Sequence, residues 1–232
     1  RMIKAMFLAS EHRGRDATGF AAITAPYKKP HTSTIIVEKQ AIPVSRFIKH
    51  NSTWRGLRHQ RCSLLIGHVR LATHGDPNDP SNAHPFSSKD GRLHVVHNGI
   101  IFNHRETARR LGVHLTTDCD SESLLRIIER AKHPATGLEE ALRQLHGSIA
   151  AAVLDVDGGV IWLAQNGGRS LWLMKLKDGR YFFASERSIL LKAVKLALGK
   201  RFEWNIEMLI PIAPNHVHAL HVDGVVALGE VA

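Results

Sequence analysis

The feature that most constrains this chain is a series of short apolar segments in its second half, each closed by a turn dipeptide. Residues 148–154, 160–165, 170–176 and 181–184 read as strands, and Asp157-Gly158, Asn166-Gly167 and Asp178-Gly179 read as the turns between them. Tight turns of this kind join antiparallel neighbours, because a parallel return needs a crossover of a dozen residues or more. Upstream, 18–24, 34–38, 63–71 and 92–97 read as further strands; Pro26 and Pro30 mark the loop between the first two. A long polar loop with Pro77, Pro80 and Pro85 separates the last two, and strands near 208–212, 216–221 and 225–228 close the chain.

Helical signals fall in blocks between these strands. Met2, Ile3, Met6 and Phe7 recur at helical spacing, and Leu124, Ile127, Ile128 and Ala131 form the stripe of a helix that starts near Asp120. Asn103 with Glu106 predicts a capping box for a helix through Leu111, and Thr136 with Glu139 does so for 138–145. A last helix is expected over 188–198. Hairpin-linked strands with helices in blocks argue for an α+β domain built on antiparallel sheets.

With 232 residues, 44% of them hydrophobic, the chain can bury a sizeable core in one domain. No run of eighteen apolar residues suggests a membrane span. Two cysteines, Cys62 and Cys119, cannot build a disulfide framework, and no secretory signal is evident, so a reducing cytoplasmic setting is expected. A formal charge of +10 is compatible with nucleic acid or another polyanion. The tightest basic groups, Arg55, Arg58, His59 and Arg61 and then Arg105, Arg109 and Arg110, lack interleaved aromatics, which favours a solvated basic face. Among sixteen histidines, His216 and His218 share a strand face with His221 nearby, but no cysteine or carboxylate completes a ligand set. Neither a metal nor a cofactor is expected.

Four segments set polar groups and glycine beside apolar strands: R-G-R-D-A-T-G at 13–19, G-H-V-R-L-A-T-H-G at 67–75, H-N-G at 97–99 and D-C-D-S-E at 118–122. Each alone has a plain explanation; Asn98-Gly99, for example, is the commonest hairpin turn pair. Ile100 and Ile101, however, lead into a helix rather than a pairing strand. In this order, and with N-A-H-P-F at 82–86 and Ser185-Glu186, the segments resemble the N-terminal-nucleophile glutaminase domain of class II glutamine amidotransferases. The likeness runs from Arg13 to about Glu186. It implies two stacked antiparallel sheets flanked by helices, an αββα sandwich, with 1–232 as one glutaminase domain.

The resemblance also implies a chemistry: release of ammonia from L-glutamine by an N-terminal cysteine whose own amine is the base, with the ammonia passed to a synthetase domain or subunit. The tetrahedral oxyanion needs preorganised donors, which the likeness assigns to the Asn98 side chain and the Gly99 backbone N–H. Arg70 matches the arginine that grips the α-carboxylate, and Asp120 the carboxylate that receives the α-ammonium. Thr73 and His74 fall in the loop that lines this pocket. Arg13 and Gly14 match the turn beside the cysteine, where a cation helps hold a thiolate, and Asp16 fixes that turn. Leu71 stands where glucosamine-6-phosphate synthase has tryptophan, and Arg15 where tyrosine or proline is frequent, which bears on pocket shape and partner.

The family's cysteine lies over two dozen residues ahead of its R-G-x-D motif, whereas Arg13 has twelve residues before it. Arg1 opens the chain with no initiator Met or helix cap. The expectation is a nucleophile-bearing segment upstream of Arg1; the competing reading is an inactive scaffold or binding protein on the same fold. Cys62 and Cys119 lack a free α-amine and are not expected to replace the nucleophile.

Overall fold

The computed structural model describes residues 1–26, 33–199, 202–221 and 224–230; the loop expected at Pro30 lies outside the described residues. In chain order the helices are α1 (Met2–Ser10), α2 (Val44–His50), α3 (Ser52–Gly56), α4 (His104–Arg110), α5 (Ser121–Ile128), α6 (Pro134–Gln144) and α7 (Arg187–Leu198). The strands are β1 (Ala17–Pro26), β2 (Thr34–Gln40), β3 (Gln60–Arg70), β4 (Phe86–Ser87), β5 (Leu93–Ile101), β6 (Gly147–Asp155), β7 (Val160–Gln165), β8 (Trp172–Leu176), β9 (Tyr181–Ala184), β10 (Ile206–Pro211), β11 (His216–His221) and β12 (Gly224–Glu230). All their pairings are antiparallel.

One layer is a six-stranded sheet, ordered β12-β11-β7-β6-β5-β4. The facing layer is divided into two three-stranded sheets, β2-β1-β3 and β10-β8-β9. Period-two alternation sorts the side chains of β6 and β7 between the two sides of their sheet. Ile149, Ala151, Val153 and Trp162 pack under α5 and α6 with Leu124, Leu125, Ile128 and Leu138. Ala150, Ala152, Leu154, Ile161 and Leu163 face the divided layer and meet Leu64, Ile66, Leu171 and Leu173. Both faces are covered, so these strands are apolar at nearly every position.

Helices close the other side of the divided layer. Met2, Ala5 and Ala9 of α1 pack with Ile189, Leu190, Ala193 and Val194 of α7 over β8–β10. Phe7, on the opposite face of α1, joins Phe20, Phe47 and Trp54 over β1 and β3. The Phe7 and Trp54 rings meet edge to face at 4.9 Å between centroids, and a side chain at Gly67 would strike the Phe7 ring. The result is the αββα sandwich that the resemblance implies.

Several local expectations are corrected. Asn103 does precede α4, but its side chain makes no cap: its amide donates to the Gln144 carbonyl and its oxygen accepts from the His146 N–H, tying α4 to the end of α6. Nor does Thr136 cap a helix. α6 starts earlier, with Pro134 in its first turn, and the Ala135 N–H donates to His133 Nδ1. Asn166-Gly167 is no hairpin, since it carries the chain from β7 in one layer to β8 in the other. Asp157-Gly158 and Asp178-Gly179 do join paired strands. His216 and His218 sit 6.3 Å apart on β11, an inner strand between β12 and β7, and are partly buried rather than on an open face.

Candidate active site

A cavity of about 840 Å³ opens between the two sheet layers, and Arg13, Arg70, Thr73, Asn98, Gly99 and Asp120 all line it. Arg70 ends β3, Gly99 lies within β5, and Asp120 stands immediately before α5. The fold therefore gathers into one cleft groups that are 50 residues apart in the chain. Arg70 and Asp120 are both almost wholly buried.

The turn at Arg13–Asp16 sets the position of Arg70. The Asp16 N–H donates to the Arg70 carbonyl at 3.0 Å, while its carboxylate accepts from the Ala72 N–H at 2.7 Å. A side chain at Gly14 would lie 2.3 Å from the Arg70 carbonyl carbon, so only glycine lets the turn sit this close. The Arg70 guanidinium donates to the carbonyls of His74, Gly75 and Asp76. Among the described residues, two of its five N–H groups have no such partner. Arg13 lines the cavity but pairs with Glu186 at 3.0 Å, so its charge is partly balanced.

Asn98 and Gly99 are no turn; they pair with Ala150 and Ile149 of β6. Gly99 has φ 149°, and a side chain there would come within 1.7 Å of the Ser148 carbonyl oxygen. The Asn98 side chain is partly exposed and, among the described residues, has no hydrogen-bond partner, so its amide is available to a ligand. Asp120 Oδ2 accepts from the Ile101 N–H at 2.7 Å and lies 3.9 Å from His74 Nδ1. His74 reaches the site through that contact and also stacks edge to face on His104.

Three residues without an assigned role from the sequence support the site, and of these only His97 lines the cavity. His97 is buried beneath Gly99 and contacts Ser121 and Ser148. Glu122, also buried, accepts from the backbone and hydroxyl groups of Thr116 and Thr117 and from Arg126, which fixes the approach to Asp120. Burial pushes its carboxyl up, but these bonds outweigh that and hold it below the ordinary range. The signal for His97 and Glu122 was their place inside H-N-G and D-S-E; Ser148, at the start of a plain apolar strand, carried none.

Neither cysteine is an activated thiol. Burial pushes the Cys62 thiol up to about 11 and also raises that of Cys119, opposite to the shift a reactive thiolate needs. Among the described residues no group of His, Cys, Asp or Glu could hold a metal ion, and no helix is long and apolar enough to cross a membrane. The basic groups noted above sit on separate elements, where Arg105 pairs with Asp118 and Arg110 donates to Gln144.

Residues 68–192 match the family model for a glutamine amidotransferase domain. The chain is 32% identical over 189 residues to glutamine–fructose-6-phosphate aminotransferase (isomerizing) of Staphylococcus aureus, which covers 78% of this chain and 29% of that protein. The corresponding enzyme of Aeropyrum pernix is 36% identical over 151 residues, 62% of this chain and 23% of that one. Among solved structures, glutamine phosphoribosylpyrophosphate amidotransferase from B. subtilis superposes over 100% of this chain and 46% of its own, with a TM-score of 0.77 at 20% identity, a likeness of fold. The chain thus spans less than half the length of these relatives. With the family model covering more than half of the chain and the sandwich shared, the chain belongs to the class II, N-terminal-nucleophile family of glutamine amidotransferase domains.

Proposed function

We propose that this domain hydrolyses L-glutamine to glutamate and ammonia, and that the ammonia passes to an acceptor site on another domain or subunit. The observation that carries this reading is the convergence of Arg70, Asn98, Gly99 and Asp120 on one cavity. A free amino acid presents a carboxylate and an ammonium at a fixed distance from its side-chain amide, and a buried cation and a buried anion sharing one cavity with two candidate oxyanion donors match that pattern. In this reading Arg70 takes the α-carboxylate and Asp120 the α-ammonium. The Asn98 amide and the Gly99 N–H hold the oxyanion, Thr73 lines the pocket, His74 stands behind Asp120, and Arg13 supplies positive potential near the thiol.

The nucleophile in this proposal is a cysteine at the mature N-terminus, on a segment upstream of Arg1, in a cytoplasmic protein. Its thiolate attacks the amide carbon, and its amine takes the thiol proton and returns it to the departing nitrogen. The C–N bond breaks, ammonia leaves, and water hydrolyses the thioester to glutamate and free thiol. The shape of the cavity supports such a segment. β3 and β9 are each an edge strand among the described residues, and Leu65, Val69, Tyr181 and Phe183 from them line the cavity together with Arg1 and Met2. A strand laid between β3 and β9 joins the two three-stranded sheets and delivers its end to Gly99.

The test uses the native protein: its N-terminal sequence and intact mass are determined, and glutamate release is assayed before and after cysteine alkylation. An N-terminal cysteine with alkylation-sensitive release is the expected result. A native chain without that cysteine and without glutamate release overturns the enzyme reading and leaves the scaffold reading in its place.

A further inference from the structure

We propose that His97 is a positioning residue: as a neutral ring protonated on Nε2, it braces the strand carrying Gly99 and leaves one oxygen of Asp120 open for the substrate ammonium. The inference rests on the glutamine reading of the cavity and adds a residue and a pH dependence to it.

The geometry assigns the proton. His97 Nε2 lies 3.3 Å from the Ser148 carbonyl oxygen, which can only accept, so Nε2 carries the hydrogen of that contact. His97 Nδ1 lies 2.8 Å from Ser121 Oγ. In a ring protonated on Nε2, Nδ1 is an acceptor, and the Ser121 hydroxyl donates to it. That hydroxyl has a single proton and a second acceptor in reach, Asp120 Oδ1 at 3.3 Å; the shorter contact takes it. Asp120 Oδ2 is held by the Ile101 N–H, while Oδ1, among the described residues, then keeps only a weak thiol contact from Cys119 at 3.7 Å. A buried carboxylate oxygen with so little to accept is suited to an ammonium.

A protonated His97 reverses this arrangement. Nδ1–H then donates to Ser121 Oγ, the freed hydroxyl proton turns to Asp120 Oδ1, and an imidazolium competes with the substrate for the carboxylate. The groups around the ring are Asp120 before α5, His68 on β3, His84 ahead of β4 and Arg169 between β7 and β8. Burial and Arg169 oppose protonation, Asp120 and the Ser148 carbonyl favour it, and burial prevails. The ring therefore protonates at lower pH than an ordinary histidine. The bracing role follows from contact, since His97 Nε2 is 2.7 Å from where a Gly99 side chain would begin.

The experiment uses the full-length protein. Ring nitrogen NMR of histidine-labelled protein at about pH 7 is expected to show His97 neutral with its proton on Nε2. Glutamate binding, which needs no turnover, is then followed by calorimetry from about pH 7 to about pH 4. Wild type is expected to lose affinity as His97 protonates. His97→Phe is expected to bind about threefold to tenfold more weakly at neutral pH, with a shallower acid loss. Ser121→Ala, which keeps the ring, is expected to reduce the acid loss as well and serves if His97→Phe does not fold. A ring protonated on Nδ1, or binding curves for both variants that overlay the wild type at every pH, overturns the proposal while leaving the glutamine reading intact. A wild type that binds neither glutamate nor glutamine overturns both.

Discussion

A methyl group at position 99 has nowhere to go. It would lie 1.7 Å from the Ser148 carbonyl oxygen on a backbone with φ 149°, so Gly99→Ala must shift β5 against β6. We expect a loss of about 1–3 kcal/mol in urea unfolding and of all measurable glutamate release, because the displaced N–H is the proposed oxyanion donor. Wild-type turnover in that variant contradicts the assignment. Residues of this kind were partly legible in the sequence. Arg70, Asn98, Gly99 and Asp120 stood out because their motifs occur in one order, and they do share a cavity. The state of the Arg70 fork was not legible, because its bonds to the 74–76 carbonyls depend on how a loop folds back on the side chain. The roles of His97 and Ser148 depend on a contact between residues 51 apart that the β5–β6 pairing creates, which no local pattern reports.

At the scale of elements, the segment from Thr116 to Arg126 works as a unit. The Glu122 carboxylate gathers two N–H groups, two hydroxyls and the Arg126 guanidinium, so Glu122→Gln strips charge from five donors at once. We expect a cost of about 2–4 kcal/mol in chemical denaturation, with weaker glutamate binding because Asp120 follows directly on this loop. The Glu122 carboxyl is depressed in the folded state, so its contribution is present above its ordinary unfolded value near 4.5 and is lost as pH falls below it. An unchanged midpoint in Glu122→Gln contradicts this account. Strands were the most legible elements, since β6 and β7 of the six-stranded sheet are covered on both faces and read as apolar runs. α2 and α3 went unread because they are short, and each buries few side chains: Val44 and Phe47 in one, Trp54 in the other. The capping boxes misled because Asn103 is bonded across to α6 and Pro134 starts α6 before Thr136.

Across the whole molecule, the buried and half-buried histidines His68, His84 and His97 are expected to set the response to mild acid. Burial holds His68 down to about 3, places His84 well below its ordinary value and lowers His97. The unfolded chain takes up protons at these positions near pH 6.5 and the folded one does not, so stability falls as pH drops below that value. Each group contributes up to about 1.4 kcal/mol per pH unit until its folded value is reached. Urea midpoints should therefore drop between about pH 6.5 and about pH 5, and less steeply in His68→Phe; identical midpoints across that range contradict the prediction. The αββα layering was legible from resemblance, whereas the division of one layer into two sheets was not, since it depends on which edges remain unpaired.

If Arg70 and Asp120 read the two ends of one amino acid, truncating ligand and side chain in parallel reveals it. Calorimetry compares L-glutamine with 4-carbamoylbutyrate, which lacks the ammonium, and with 4-aminobutanamide, which lacks the carboxylate, on wild type, Asp120→Ala and Arg70→Ala. Recognition of both ends predicts that each truncated ligand costs the wild type about 2–5 kcal/mol. It further predicts that loss of the ammonium costs Asp120→Ala almost nothing, and that loss of the carboxylate costs Arg70→Ala almost nothing. Equal penalties in wild type and variants would contradict it, because the two charges would then be recognising something other than the ends of glutamine.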